Sequence, residues 1–543
     1  MSRLNPIVLT GIFSLFVAFY GGIMWSAGGL YLDTHEGDSY HFVDILIRMA
    51  DGKLPHLDFV TPLGILTFLP ISLLMQAGFT LGAATVLAQV LVAVMLLPVI
   101  LYICASRLTG GVGLLFGLFT LGLLLAFSYG TASSGVTISM HYNRWAWVVS
   151  FVVLALAMIP PKAANRPSFD GALIGALCAV LLLMKVTYFV TVVPVAALAL
   201  GTRWGLRPIV SAIIAGLVVL AVATVFLGPA FWLAYLHDIQ VVANSDVRPY
   251  VGVAFNEIVA SPVYISATIV GIAAVFLIRK TQHVAVKTAV VLWLPGAIYI
   301  AYQNFGNDPQ WLLFLPVLLL ALRPEAGFDT VFGFDLRRSM ETTALVAVVV
   351  FFPSLFNIAM SPFEHLAFDR SRFVPMLPQQ TGHQDIFIRE DRAFQMTARV
   401  FKDHEDGPWA KYSERVEREP ETVFKGITFP SCEWMAGSRG FFDEISADLQ
   451  LAGIPEGSRL FTADVLTAFW LFGPFEAPDK NAPWYYGDLS GLENSDYVLI
   501  PKCGFVGRIR GIIVDDLENS GYEFELERDN SLYALFAVKT PVQ

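Results

Sequence analysis

Eleven stretches in the first 360 residues are apolar over about the length a helix needs to cross a bilayer, and no other feature narrows the fold so far. A hydrocarbon core about 30 Å thick requires about 20 apolar residues in a helix. The runs lie at approximately 7–30, 84–106, 110–129, 145–160, 171–187, 188–202, 209–228, 263–278, 288–303, 310–322 and 342–360. The first follows Arg3 and has no small-residue cleavage site before Asp33, so it reads as a retained helix and not as a removed leader. A further apolar segment, 62–79, is interrupted by Pro62, Gly64, Pro70 and Gly78 and reads as a re-entrant or interfacial piece of the preceding loop. The chain is 55% hydrophobic and 15% charged, with a mean hydropathy of +0.61, whereas soluble domains carry about a quarter charged residues. That composition argues against a soluble enzyme.

Charge is divided unevenly. Residues 1–360 hold 17 basic and 15 acidic side chains, and residues 361–543 hold 18 and 30, so a net charge of −10 is a nearly neutral body followed by an acidic tail. Neither half offers the clustered Lys and Arg that nucleic acid requires, which excludes it as a partner. Short cytoplasmic loops collect Lys and Arg. With the N-terminus inside and 62–79 left out of the count, 12 of the 17 basic residues of the body fall on the cytoplasmic side. The odd number of spans then puts the tail on the outer face. In a bacterium this is the periplasmic side of the inner membrane.

In the tail the apolar runs shorten to strand length. Segments 459–464, 497–501, 522–527 and 532–539 read as strands, the last two as a hairpin around Asp529-Asn530-Ser531, and 504–519 reads as a helix. The expected fold is a polytopic α-helical membrane body, residues 1–360, with about eleven transmembrane helices, followed by a soluble α/β domain, residues 361–543. Cys104 and Cys178 fall in spans. Cys432 and Cys503 both fall in the tail, where a disulfide and two unlinked thiols are equally compatible with the spacing. No repeat, zinc spacing, P-loop or dinucleotide fingerprint is present.

Candidate chemistry concentrates in the first outer loop, 31–82. Asp33, Glu36 and Asp38 crowd into six positions at the mouth of a span, near His35 and His41. Carboxylates at a lipid–water boundary gain proton affinity by desolvation, which suits a general base; they can also share a divalent metal through hard oxygen ligands, or merely mark the outer side. Phe42, Ile45, Leu46 and Met49 share one face of a helical pattern that suits a membrane surface. Gly52, Pro55 and Pro62 then enforce turns around Asp58.

This arrangement, and GKLPHLDF at 52–59 in particular, resembles the first periplasmic loop of the GT-C glycosyltransferases, integral-membrane enzymes that include the protein mannosyltransferases and the lipid A aminoarabinose transferase. The acids here read Asp-Thr-His-Glu-Gly-Asp, and not the adjacent Asp-Glu pair of that group. The resemblance implies a sugar donor on a polyprenyl phosphate, a glycan, lipid or protein acceptor, inversion at the anomeric carbon, and catalysis by a loop carboxylate, Asp38 or Glu36, with Asp33 beside them. His41 and Asp58 are expected at the substrate.

Later segments fit the same reading. His141-Tyr142-Asn143-Arg144 re-enters the membrane, where Arg144 either forks onto a lipid phosphate or snorkels as an anchor. Lys185 ends an apolar span and is followed by Val186-Thr187-Tyr188; similar Lys-x-Thr-Tyr segments occur in these transferases. An ionisable group at such depth is costly and faces a cavity or a partner. The expected donor-phosphate set is Lys185, Arg144, Tyr142 and Asn143. Asn304, Asn307, Asp308 and Gln310 form a polar cluster before Trp311 that suits sugar hydroxyls, or equally a solvated turn. The long outer loop 229–262, with His237, Asp238, Asn244, Asp246 and Arg248, is a weaker candidate for an acceptor-side lid. Rival readings are a lipid-linked glycan transporter, which the lack of paired broken-helix repeats disfavours, and a non-catalytic envelope assembly protein.

Overall fold

The computed structural model describes residues 5–162, 165–245, 247, 254–304, 307–327, 330–331, 333–400 and 421–539. Fifteen helices make up the body: α1 (Pro6–Ser26), α2 (Glu36–Ala50), α3 (Leu69–Gln76), α4 (Leu81–Arg107), α5 (Gly110–Leu124), α6 (His141–Met158), α7 (Pro167–Met184), α8 (Val186–Trp204), α9 (Leu206–Leu227), α10 (Ala230–Ala243), α11 (Phe255–Ala260), α12 (Pro262–Lys280), α13 (Val284–Gln303), α14 (Phe314–Leu322) and α15 (Leu336–Ala367). Among the described residues eight are long and apolar enough to cross a membrane, namely α1, α4, α7, α8, α9, α12, α13 and α15. Each of the eleven apolar runs contains one helix. Those outside the eight are α5 and the Gln310–Leu322 stretch, which are short, and the 18-residue α6, which is buried along almost its whole length.

Local chemistry fixes the helix boundaries. Asn5 Oδ1 accepts from Ile7 N at 2.9 Å ahead of Pro6, while α7 and α12 also begin on proline, whose missing N–H costs nothing there. Where a Cβ at Gly175 would lie 1.8 Å from Ala212 O, α7 and α9 touch backbone to backbone, as small residues permit in lipid. The other faces of α9 are apolar and open, with Leu217 59% and Phe226 82% exposed, so this helix presents itself to lipid.

The 62–79 segment is a 3₁₀ turn, Ile65–Thr67, followed by the eight-residue α3, too short to span. Residue 360 lies inside α15, which continues to Ala367. Beyond it, Leu30–Leu32 of the body pairs in parallel with Ile386–Ile388, and Phe373–Pro375 adds an antiparallel strand. One sheet therefore draws on both halves of the sequence.

The C-terminal α/β region holds a four-stranded sheet in the order Leu460–Thr462, Tyr497–Pro501, Tyr533–Lys539, Glu523–Asp529, the last pair being the expected hairpin. Asn530 Oδ1 accepts from the N–H groups of Leu532 and Tyr533 and closes that hairpin. The expected helix is Gly507–Asn519. Cys432 and Cys503 are joined as a disulfide, with Cα atoms 5.1 Å apart.

The C-terminal region covers α2. Its apolar face, expected on a membrane surface, is instead buried inside the protein, with Phe42 against Phe68 and His141, because the 62–79 segment and α6 lie beneath it. Its opposite face is covered as well: Tyr40 meets Phe442 and Phe472, and buried Asp44 accepts from Arg48 Nε at 2.5 Å and from Trp470 Nε1 at 2.9 Å.

Candidate active site

The three carboxylates of the first outer loop have three different partners. Asp33 Oδ1 accepts from Val136 N at 2.7 Å; burial raises its proton affinity, and the Val136 N–H and the nearby Arg389 only partly offset this. Glu36, buried, receives both Nε and a terminal nitrogen of Arg392. Asp38 Oδ2 accepts from Ser139 Oγ at 2.6 Å. His35, in a left-handed conformation at the start of α2, stacks on Tyr129 with centroids 4.4 Å apart. Among the described residues no three His, Cys, Asp or Glu side chains gather as a metal site, so the shared-metal alternative for Asp33, Glu36 and Asp38 is not the arrangement formed.

Lys185 occupies a break in the bundle. It is the single residue between α7 and α8, with φ −157° and ψ 114°. A break at this depth frees backbone carbonyls that lipid cannot satisfy. The 62–79 segment of the first outer loop and α10 supply donors: Met184 O accepts from Gly64 N at 2.9 Å and from Thr67 Oγ1 at 3.0 Å, and Leu182 O accepts from Tyr235 Oη of α10 at 2.9 Å. Gly64 is needed for that approach, because a Cβ there would lie 2.1 Å from Leu183 O. The Lys185 side chain then donates to Asn143 Oδ1 at 3.1 Å and to Asn304 Oδ1, with Nζ 5.3 Å from the centre of the Tyr142 ring. Asn304 Nδ2 donates in turn to Tyr188 Oη at 3.0 Å. Ends of four helices, α6, α7, α8 and α13, thus converge on one cation. Ser139, the partner of Asp38, lies three residues before Tyr142 in the same chain segment.

Arg144 does not join this group. It is fully buried, and its terminal nitrogens donate to Ser128 O and, at 2.9 Å, to Ala126 O, the carbonyls of the chain leaving α5. Arg144 thereby ties the start of α6 to the second outer loop, the segment 125–140 between α5 and α6. Asp58 likewise acts locally: Oδ2 accepts from Leu54 N at 2.7 Å and closes a turn. Asn307, Asp308 and Gln310 pack on the second outer loop and on α12 and α15. Tyr264 Oη donates to Asn307 O, Ser354 Oγ to Asp308 Oδ2, and the Gln310 amide covers Gly130. Burial raises the Asp308 carboxyl above its ordinary range. Of this expected substrate cluster, Asn304 hydrogen-bonds Lys185. His41 faces the C-terminal region, 3.5 Å from Tyr486 Oη and 5.4 Å between centroids from Trp484.

Of the expected lid, Asp238 is buried in α10 and accepts from Thr61 N at 3.0 Å while pairing with His56 Nδ1 at 2.8 Å. It ties α10 to the first outer loop. Asp246 and Arg248 lie outside the described residues, as do Phe305 and Gly306.

No protein-family model and no curated protein matches the chain. Among solved structures it is similar to the arabinofuranosyltransferase AftD from Mycobacteria, at 12% sequence identity and a TM-score of 0.43. The match covers 100% of this chain and 40% of that one, so the chain spans about two fifths of the length of the protein it matches.

Sequence reasoning missed Ser139, Tyr129, Tyr188 and Arg392. Tyr188 stands in the Lys-x-Thr-Tyr segment and was within reach. Arg392 lies 356 positions from Glu36, a distance over which no local pattern operates.

Proposed function

We propose that the chain is a membrane glycosyltransferase of the GT-C type, which moves a sugar from a polyprenyl-phosphate donor to an envelope acceptor on the outer face of a bacterial inner membrane. One observation carries the reading: Lys185 at a helix break, held by Asn143 and Asn304 over Tyr142, in a chain segment whose Ser139 holds Asp38. The 12 basic residues assigned to cytoplasmic loops support an inside N-terminus and an outside C-terminal region.

In this reading Lys185 receives the donor phosphate, aided by the positive end of the α8 dipole, since α8 begins at the next residue. Asp38 takes the proton of the acceptor hydroxyl. The hydroxyl oxygen attacks the anomeric carbon from the face opposite the phosphate, the carbon–oxygen bond to phosphate breaks, and its electron pair leaves on the phosphate beside the Lys185 cation. Inversion follows from a single displacement. Glu36 is held by Arg392 and positions the start of α2, while half-buried Asp33 fixes the loop to Val136. Arg144, with both terminal nitrogens on carbonyls, has no part in phosphate binding.

The test is transfer of label from synthetic polyprenyl-phosphate sugars to envelope acceptors by the full chain in liposomes, over several donor sugars. Labelled product from one donor supports the reading. Movement of intact lipid-linked sugar across the bilayer without transfer would assign the chain to transport instead.

A further inference from the structure

Helix α2 does more than carry the acids. Asp38 and His41 are three positions apart and therefore neighbours on one helical face. His41 is met there by a strap from the C-terminal region, residues 478–487. The strap is pinned to the first outer loop by Lys480 N to Asp58 O at 2.7 Å, Val60 N to Asn481 O at 3.2 Å and Lys53 Nζ to Asp479 Oδ1 at 2.6 Å. It is pinned to its own region by Tyr485 N to Val465 O at 2.8 Å and Thr467 Oγ1 to Ala482 O at 3.0 Å. Its aromatic rings are held in place by the fold on both sides. Tyr486 is buried on Val60 and Ala482, whereas Trp484, packed against the same cluster, is half-buried.

We propose that His41, Trp484 and Tyr486 form the acceptor subsite of this transferase and that the acceptor is a saccharide. The inference rests on the glycosyltransferase reading above. A sugar ring has an apolar C–H face and a rim of hydroxyls, so it needs flat rings with polar tips; the half-buried indole and imidazole supply these, while buried Tyr486 backs His41 through its hydroxyl and fixes where the imidazole stands. A lipid acceptor would instead call for an apolar groove continuous with the bundle. Three residues before Trp484, Asn481 is 2% exposed and its Nδ2 lacks a hydrogen-bond partner among the described residues, a donor that a hydroxyl would satisfy. The subsite lies one helical turn along α2 from Asp38, so the acceptor would reach that carboxylate from His41.

Calorimetric titration of the full chain in detergent with short oligosaccharides, released by mild acid from bacterial envelope polysaccharide, tests this. The wild type should bind, and Trp484→Ala and Tyr486→Ala should each weaken binding roughly ten- to hundredfold, as expected for truncating an aromatic anchor. Trp484→Phe, which keeps a flat ring and the packing, should recover most of the loss and guards against a folding artefact. No binding by the wild type, or equal binding by wild type and both alanine variants, overturns the subsite. Label transfer by the wild type is scored separately: transfer to a lipid or protein acceptor without oligosaccharide binding refutes the subsite and leaves the transferase reading intact, while oligosaccharide binding with no transfer from any donor refutes the transferase reading.

Discussion

Ser139 Oγ donates to Asp38 Oδ2 across 2.6 Å and joins the helix of the first outer loop to the segment that presents Tyr142 and Asn143 to Lys185. That bond links the proposed base to the proposed phosphate site. Asp38→Asn should therefore lower transfer about 10²- to 10⁴-fold, the range for loss of a general base. Glu36→Gln should retain most turnover, because Glu36 is already engaged by Arg392. Steady-state transfer rates for both variants, each checked for intact insertion, decide the assignment; a Glu36→Gln variant as inactive as Asp38→Asn would move the base to Glu36.

Lys185→Gln should raise the donor KM or lower kcat/KM for the donor by roughly ten- to a hundredfold, the worth of a charge-assisted hydrogen bond. Lys185→Arg should not rescue it. A planar guanidinium does not fit where a compact ammonium is held between two amide oxygens. The measurement is transfer rate against donor concentration at saturating acceptor.

Arg144→Ala should act on stability. Removing the guanidinium leaves the carbonyls of Ala126 and Ser128 buried without their donors, a cost of about 1–3 kcal/mol for each such group. A lower unfolding temperature with an unchanged donor KM is expected. A change in donor KM without a change in stability would return Arg144 to the phosphate.

Gly64→Ala tests the support beneath Lys185. Its Cβ would lie 2.1 Å from Leu183 O, so the segment must withdraw and Met184 O loses two donors. Both unfolding temperature and transfer should fall. Gly22→Ala in α1, where a Cβ meets nothing within 4 Å, serves as the neutral comparison.

In the C-terminal region, burial pushes the Asp464 carboxyl up to about 6, although the N–H groups of Phe505 and Val465 each donate to it at 2.7 Å. An acid whose folded value lies above its unfolded value binds its proton more tightly in the native state. Its contribution to stability is therefore largest below about pH 4 and is lost as pH rises through about 6. Hydrogen exchange of the 460–466 peptide, corrected for intrinsic rate, should show protection falling from pH 5 to pH 7 in the wild type, and a flatter profile in Asp464→Asn.

The helical runs, the short 62–79 segment, the C-terminal hairpin and the polar character of Lys185 were all legible in the sequence. Each is written in local spacing: apolar length sets a span, Pro62, Gly64, Pro70 and Gly78 forbid one, and an isolated cation in an apolar run must find partners. The sequence also named Tyr142, Asn143 and Asn304, residues that do meet Lys185. It could not place Arg144, because an arginine at a membrane boundary can equally face a phosphate or a backbone carbonyl, and its carbonyl partners depend on where α5 ends. Glu36 and Asp38 are indistinguishable by spacing.

The sequence by itself thus determined the long apolar helices and the polar residues at their ends, because those properties follow from period and length, but it read 229–262 as a loop where α10 and α11 form, and it left open what covers α2. Only the tertiary structure decided which carboxylate is held by an arginine and which by a serine. Only it brought the 478–487 strap onto α2, and only it joined Leu30–Leu32 to Ile386–Ile388. Those pairings connect residues from 101 to 445 positions apart. They are selected by the packing of whole elements against one another, and no short-range pattern encodes them.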